Sequence, residues 1–313
     1  MILRLARTAP KYRAAAAFAL FITCLLATAA SAQSARSLPT LVSTNLCADL
    51  LVLRLAAPEQ IMALSRQSRG LEQTELAAQA RTYPSHRGSV EELLFLKPDL
   101  VLAYAGWGGR RHARLLARQG IEIVEIPYPG DWDDALKSAR KLGARIGRAD
   151  KARQVIAAAE ARMTKLAERI SASQQGQDRP ADNTKIATTA SQRALYLRPN
   201  GGTAGTGTYV DDLIQRLGLT NLANEQGIRG WGQLPLERLV LAPPDLFLLG
   251  YFDQDQPIQA SGVARHPLLR RMLANTPSIG LPANGWGCGG LELLKAAEVV
   301  ANHMSAGAAD PSD

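Results

Sequence analysis

The chain has 313 residues, of which 46% are hydrophobic and 20% charged, and its formal net charge is +8 at pH 7. A chain of this length can bury a large core and is more naturally built as two lobes than as one. The positive charge does not indicate a nucleic-acid-binding protein, because no run of Lys and Arg is interleaved with aromatic residues beyond the N-terminal segment.

The first residues are typical of a secretory signal peptide. Four basic residues precede an apolar run from Ala14 to Ala30, which ends in Ala30-Ser31-Ala32. Small residues at this spacing predict cleavage after Ala32. The alternative is a retained membrane anchor, although the 17 residues of the run are short for a bilayer span. Removal of residues 1–32 lowers the formal charge to +4. We expect a soluble, exported mature protein.

Two cysteines remain after this cleavage, Cys47 near the start of the chain and Cys288 near its end. Exported proteins mature where thiols are oxidised, so a disulfide between the two is the first expectation. Such a bond requires Cα atoms within about 7 Å of each other. Two buried thiols and a pair of metal ligands are the alternatives, and the ligand hypothesis is the weakest because neither cysteine has local metal-binding spacing.

One segment of the chain recurs. Residues 90–102 and 236–248 match at a constant offset of 146, and each pattern predicts a short helix with an early Glu, a Pro-Asp turn and an apolar strand. Residues 49–55 and 211–217 match at an offset of 162 through Asp, Leu, Arg and Leu. The repeats predict two lobes of similar topology.

Apolar, strand-like runs alternate with helical patterns in both halves of the chain. This alternation predicts an α/β fold in which each lobe is a mostly parallel sheet flanked by helices. Long helical periodicity between the halves predicts that a long helix joins the lobes. The predicted organisation is an N-terminal lobe at 33–130, bridging helices at 131–172, a polar connection at 173–185 and a C-terminal lobe at 186–313.

Candidate ligand-binding residues follow the predicted strands, because ligands of open α/β sheets bind beyond the carboxyl ends of the strands. Three of the four tryptophans in the chain lie between glycines. We interpret them as a stacking surface for a ligand, and the alternative is that each covers the edge of its own lobe. The candidates are Asn45, Cys47, Arg66, Tyr104, Trp107, Tyr128, Arg198, Asn200, Trp231, Tyr251 and Trp286.

Signals of enzymatic chemistry are sparse. The four histidines stand singly, and the chain has no His-x-x-x-His, Gly-x-Ser-x-Gly or Cys-x-x-Cys motif. The glycine-rich residues 201–207 lack the Lys-Ser/Thr of a phosphate-binding loop and predict a tight turn or a cleft wall. We therefore predict no catalytic residue, no metal site and no resident cofactor. Glu91 and Glu237 occupy equivalent places in the repeat, either for two-point recognition or as ordinary acids at helix starts.

The order of these features resembles the iron-siderophore and vitamin B12 class of periplasmic binding proteins. The resemblance covers residues 39–303, and it is carried by Asn-Leu-Cys-Ala-Asp at 45–49, the two Glu-x6-Pro-Asp elements, the long connecting helix and Trp-Gly-Cys-Gly-Gly at 286–290. It implies a monomer of two lobes with a rigid helical bridge and ligand between the lobes. It further implies docking onto the permease dimer of an ABC importer, with Glu91 and Glu237 meeting arginines of the permease.

The resemblance leaves the cargo open. Aromatic residues with few committed charges favour a large, amide-rimmed ligand such as a corrinoid. Arginines near the predicted cleft would instead suit an anionic ferric siderophore or the propionates of haem; they are Arg66, Arg110, Arg111, Arg198 and Arg229. The rival from another class is an enzyme on a two-lobed α/β scaffold, which would need a polar catalytic cluster in the cleft.

Overall fold

The computed structural model describes residues 38–70, 76–104, 107–177, 191–252, 263–282 and 286–306. The predicted signal peptide at 1–32 lies outside the described residues, as do residues 178–185 of the predicted polar connection. The described part contains two parallel sheets with helices around them, which confirms the predicted α/β class.

The N-terminal lobe is built on a five-stranded parallel sheet in the order β3-β2-β1-β4-β5. Its strands are β1 Leu41–Ser43, β2 Ile61–Ser65, β3 Ser85–His86, β4 Leu100–Tyr104 and β5 Glu122–Ile126. Its helices are α1 Leu46–Leu55, α2 Ala77–Arg81, α3 Val90–Leu96 and α4 Gly109–Ala117, with short 3-10 turns at Pro58–Gln60 and Arg66–Gly70.

The C-terminal lobe is built on a four-stranded parallel sheet in the order β11-β10-β6-β8, with a separate antiparallel pair of β7 and β9. Its strands are β6 Arg193–Leu197, β7 Gly202–Ala204, β8 Thr220–Asn221, β9 Trp231–Gln233, β10 Leu246–Gly250 and β11 Ser278–Leu281. Its helices are α7 Tyr209–Arg216, α8 Leu222–Glu225, α9 Leu236–Leu241, α10 Pro267–Asn275 and α11 Leu293–Ala306, with a 3-10 turn at Val263–Arg265.

The two sheets share one connectivity. In each lobe the second parallel strand, β2 or β8, pairs with one side of the first strand, β1 or β6. The chain then crosses to the other side of the first strand as β4 or β10, and the next strand, β5 or β11, is added outside it. The repeated segments at 90–102 and 236–248 form α3-β4 and α9-β10. The predicted similarity of the lobes is therefore confirmed.

Two helices bridge the lobes, α5 Trp132–Arg145 and α6 Ala149–Gln177. The break between them contains Gly147 at φ 72°, a left-handed conformation that favours glycine. Helix α6 ends five residues beyond the predicted limit of 172. Residues 173–177 contain Ser, Gln and Gly but no proline, so the helix can continue through them although its apolar periodicity has stopped.

Each lobe buries an Asp near the start of its first helix, at positions related by the repeat offset of 162. In the N-terminal lobe Asp49 accepts hydrogen bonds from the Ser43 hydroxyl, the Ser65 hydroxyl (2.5 Å) and the Ser65 backbone N–H (2.9 Å). In the C-terminal lobe Asp211 accepts from the side-chain amides of Asn221 (3.0 Å) and Asn224 (2.5 Å). Both carboxylates thus attach the first helix to the region of the second parallel strand.

The largest apolar core runs through both lobes and the bridge. It joins Leu50 of α1, Leu136 of α5, Ile170 of α6, Tyr196 of β6 and Val300 of α11. Smaller clusters cover the opposite faces of the two sheets. No helix within the described ranges is long and apolar enough to cross a membrane.

Candidate ligand-binding cleft

Aromatic side chains from both lobes meet at the carboxyl ends of the strands. Tyr104 ends β4, and its ring lies 6.2 Å from that of Tyr128, which follows β5. The Tyr128 ring lies 5.8 Å from that of Tyr209, at the start of α7 in the other lobe. Tyr209 in turn lies 5.5 Å from Trp231. These four residues, together with Tyr196, Tyr251 and Trp286, are called the aromatic cluster below.

Hydrogen bonds hold the cluster across the lobe boundary. The Tyr128 hydroxyl donates to the carbonyl oxygen of Gly287 and lies 3.3 Å from the Tyr209 hydroxyl. The Trp286 indole N–H donates to the Tyr196 hydroxyl at 3.2 Å. A phenol of the N-terminal lobe is thereby fixed against a helix and a loop of the C-terminal lobe.

A single cation, Arg198, lies on the faces of two rings of the cluster. Its guanidinium carbon is 5.4 Å from the centre of the Trp231 ring and 4.9 Å from that of Tyr251, which is cation–π geometry. Tyr251 has φ 64°, a left-handed conformation that is uncommon for a residue with a side chain. Such backbone strain persists where surrounding structure fixes it, and it is frequent at ligand sites.

Burial raises the pKa of the cluster's phenols. Desolvation is the largest cause in each case, and it raises the pKa of Tyr196 to about 12. It also raises the pKa values of Tyr104, Tyr128 and Tyr209 above the usual range for tyrosine. These phenols are therefore neutral at physiological pH, and each offers one hydrogen-bond donor and an acceptor rather than a negative charge.

The structure brings together five of the predicted ligand-binding residues: Tyr104, Tyr128, Arg198, Trp231 and Tyr251. Two of their rings have large exposed fractions, 48% for Tyr128 and 44% for Trp231, so both can contact a ligand. Tyr196 and Tyr209 were not predicted. The candidates were taken from residues that follow the predicted strands. Tyr196 lies inside a predicted strand and Tyr209 at the first turn of a predicted helix, so neither was included.

Trp286 corrects a prediction. Its side chain is only 1% exposed and packs 5.8 Å from each of Tyr196 and Tyr209, so its ring offers no surface to a ligand. It belongs to the largest apolar core, whereas the sequence left open only that it covers the edge of its own lobe. The glycines beside it serve close packing: a side chain at Gly287 would collide with the Tyr251 hydroxyl, and one at Gly289 with the Tyr209 ring.

Four other predicted residues lie apart from the aromatic cluster. The Asn45 side chain caps α1 by accepting from Ala48 N–H, and the Asn200 oxygen accepts from Gly202 N–H within its own turn. Arg66 is exposed at the start of a 3-10 turn. Trp107 packs against the smaller core cluster of the N-terminal lobe, 6.4 Å from the His112 ring, and shares no ring contact with the aromatic cluster among the described residues. Asn45 and Asn200 therefore have local structural roles.

The two cysteines lie together where the lobes meet. Their sulfur atoms are bonded and their Cα atoms are 5.3 Å apart. Cys47 belongs to α1 of the N-terminal lobe, and Cys288 follows Trp286 in the C-terminal lobe. The bond therefore holds the loop that carries the Gly287 acceptor of the Tyr128 hydroxyl.

Glu91 and Glu237 lie on α3 and α9, and both are exposed. Neither has an ion-pair or hydrogen-bond partner in the part of the chain that the structure describes. The neighbouring Glu92 forms a capping box with Ser89, so the two acids of this helical turn have different roles. No group of three His, Cys, Asp or Glu side chains in the described ranges could hold a metal ion.

Comparison with known families agrees with this architecture. A family model described as periplasmic binding protein matches residues 41–275. The chain belongs to the periplasmic binding protein family. Members act outside the inner membrane with an ABC permease and bind small-molecule cargo, so the predicted recognition of this class is confirmed.

Solved structures of the family share the fold. The haem-binding protein RhuT of Roseiflexus sp. RS-1 superimposes with a TM-score of 0.64 at 19% identity, over 87% of this chain and 100% of RhuT. The haem-binding protein HutB of Vibrio cholerae gives 0.63 at 20% identity, over 85% and 98%. The vitamin B12-binding protein BtuF of Vibrio cholerae gives 0.59 at 15% identity, over 87% and 99%. No curated protein matches the chain.

Proposed function

We propose that the protein is the solute-binding component of an ABC importer, without enzymatic activity, and that it carries a corrinoid between its lobes. The observation that supports this most is the aromatic cluster at the lobe boundary, with neutral phenols and one stacked cation. Rings on both walls of a cleft suit a large, flat cargo, because such a ligand gains most from face and edge contacts.

The neutral phenols favour a corrinoid over haem. The rim of a corrinoid carries amides, which pair with the donor and acceptor of an uncharged phenol. Haem needs an axial ligand, and a tyrosine that ligates iron does so as its phenolate. Burial raises the pKa values of Tyr104, Tyr128 and Tyr209, so iron binding would have to offset an added cost of that ionisation. Arg198, stacked on two rings, can still donate to an amide or phosphate oxygen of the cargo.

Haem or a ferric siderophore is the alternative cargo, and exposed cations favour it. Arg110 and Arg111 are exposed at the start of α4, and Arg66 and Arg229 are exposed as well. Haem propionates or siderophore carboxylates would pair with such groups. RhuT and HutB bind haem and BtuF binds vitamin B12, so this one fold carries both kinds of cargo.

Docking is the second part of the proposal. Glu91 and Glu237 occupy equivalent helices of two similar lobes and are exposed, so a two-fold permease can bind both with the same basic site. A monomer of the carrier is sufficient for this arrangement.

Titration of the mature protein with cyanocobalamin, haemin and a ferric hydroxamate tests the cargo. We expect cyanocobalamin to bind at one per monomer with micromolar or tighter affinity and to quench tryptophan fluorescence. Trp231→Leu should weaken binding by about tenfold, near 1.4 kcal/mol, because it removes an exposed ring of the cleft.

Trp107→Leu is the matched control and should leave the affinity within twofold of the unmodified protein. Tight binding of haemin alone would replace the corrinoid with haem. Failure of all three chelates at micromolar concentration would refute this cargo class.

A further inference from the structure

Two large apolar side chains are exposed to the same unusual degree. Phe95 on α3 and Leu241 on α9 are each 86% exposed, far more than the 40–48% of the other exposed large apolar residues that the structure describes. Single exposed apolar residues are common on protein surfaces. The position of these two is what requires an explanation.

Both side chains lie four residues after the docking glutamates. Phe95 follows Glu91 and Leu241 follows Glu237 at the same spacing, and the pairs are related by the repeat offset of 146 residues. Residues four apart on a helix lie on one face, with Cβ atoms about 5–6 Å from each other. Each lobe thus presents one carboxylate and one apolar side chain as neighbours; we call these the α3 pair and the α9 pair.

The C-terminal lobe adds an apolar groove beside its pair. A groove of about 390 Å³ lies between α9 and α10, and its lining includes Leu236, Val240, Leu241 and Leu268 together with Glu237. Val240 is itself 46% exposed. The apolar surface at the α9 pair is therefore wider than one side chain, and the carboxylate stands at its edge.

The charge of the pairs identifies the class of partner. A second copy of this chain would bring glutamates against glutamates, and an anionic lipid surface would repel them. A protein surface with a basic residue beside an apolar hollow is complementary to both groups of a pair. Because the pairs are repeated in similar lobes, the same hollow is needed twice, which a two-fold dimer provides.

We propose that Phe95 and Leu241 are the apolar anchors of permease docking, each inserted into a hollow next to the cation that meets Glu91 or Glu237. This inference rests on the proposed function of the protein as an importer component. An exposed ion pair contributes only about 0.2–1 kcal/mol. An apolar anchor beside it excludes water, which strengthens the charge pair and concentrates the binding energy at two points.

Association of the cargo-loaded, full mature protein with its permease in nanodiscs tests the anchors. Phe95→Ala and Leu241→Ala should each raise the Kd by about tenfold, and the double variant by about a hundredfold. These losses should persist when the salt concentration is raised from 50 to 300 mM, because burial of apolar surface is not screened. Leu115→Ala is the control, since Leu115 on α4 is 40% exposed and no glutamate precedes it by four residues.

A double-mutant cycle distinguishes an anchor from general surface hydrophobicity. Glu91→Ala and Phe95→Ala should be non-additive, whereas Glu91→Ala and Leu241→Ala, on different lobes, should be additive. Thermal unfolding and cargo affinity should stay unchanged in every variant. If the wild-type protein binds the permease and the double anchor variant binds it within twofold as tightly, Phe95 and Leu241 are not anchors. The proposed function would then remain intact. Absence of saturable wild-type binding would overturn both.

Discussion

The two lobes agree in connectivity but differ where they face each other. Each has the same connectivity of its parallel strands, one buried Asp on its first helix and one Glu with an apolar neighbour on a short helix. At the cleft the N-terminal lobe contributes two tyrosines of the aromatic cluster. The C-terminal lobe contributes the other five rings and Arg198. The α3 and α9 surfaces are therefore similar, and the residues that the two lobes contribute to the aromatic cluster are not.

The proposed binding roles of the two surfaces account for this difference. A two-fold partner repeats its binding site, so equivalent residues of two similar lobes can be retained at the docking face. A cargo molecule without that symmetry places different groups against the two walls of the cleft. Residues on these walls are free to diverge, and the cation and most of the rings lie on one side.

The buried carboxylates show the same principle at the level of hydrogen bonds. Asp49 and Asp211 hold equivalent places, but hydroxyl groups surround Asp49 and side-chain amides surround Asp211. Burial raises the pKa of Asp49 from its ordinary value of 3.8 to about 6, although the bonds from Ser43 and Ser65 act in the opposite direction. The two Asp residues occupy equivalent positions in the two lobes, whereas the groups that donate hydrogen bonds to them differ.

The largest expected effect is on the free energy of unfolding, and it comes from the disulfide that joins the two lobes. It tests whether the lobes unfold as one unit. Removal of the disulfide in Cys47→Ser/Cys288→Ser should lower the free energy of unfolding by about 2–5 kcal/mol, because the bond closes a long loop in the unfolded chain. Chemical denaturation followed by fluorescence measures the loss.

A reducing agent should destabilise the unmodified protein by the same amount and leave the double serine variant unaffected. Two free thiols in the unreduced, denatured protein would show that the bond is absent from the native molecule.

The second effect tests the difference between the two buried carboxylates. Because the folded-state pKa of Asp49 is raised, its contribution to stability is full below pH 4 and is lost as the pH rises to about 6. The shift corresponds to roughly 3 kcal/mol. Asp49→Asn cannot ionise, so its unfolding free energy should lack this fall between pH 4 and 6.

Asp211→Asn is the comparison variant in the other lobe, and the fall between pH 4 and 6 that belongs to Asp49 should persist in it. Denaturant titrations at half-unit pH intervals provide the comparison. An Asp49→Asn variant with an unchanged slope would refute the assignment.

The smallest expected effect is on permease binding, and it tests whether α3 and α9 present equivalent surfaces. Glu91→Ala and Glu237→Ala should each weaken permease binding by tenfold or more, or at least about 1.4 kcal/mol, because the permease cation is left unpaired. Similar lobes predict similar losses for the two variants, with cargo affinity unchanged. A loss confined to one lobe would contradict two-fold docking, and reduced cargo affinity would place that glutamate in the cleft.

The fold could be predicted from the sequence because its signals are local and repeated. The helix–turn–strand pattern occurs twice, and each copy carries its own turn residues and apolar period. The end of α6 could not be predicted in the same way. A helix end without an apolar period carries no sequence signal for its last residue, so its length depends on the positions of neighbouring elements.

The predicted set contains part of the aromatic cluster, and the buried Trp286 shows what the sequence could not decide. Trp231 and Trp286 have the same Gly-Trp-Gly context, yet one side chain is 44% exposed and the other 1%. The glycines beside Trp286 allow the Tyr209 and Tyr251 side chains to approach closely. Flanking glycine indicates either an exposed loop or a tightly packed one. The distinction depends on residues far away in the chain.

The bond between Cys47 and Cys288 also sets the order of events in maturation. A chain that leaves the export channel from its N-terminus presents Cys47 first, and its partner follows 241 residues later. Until then the first thiol stays available to oxidants and to other cysteines. A chain truncated before residue 288 cannot close the bond at all. Oxidation of this pair therefore marks a chain that has been translocated at least through residue 288.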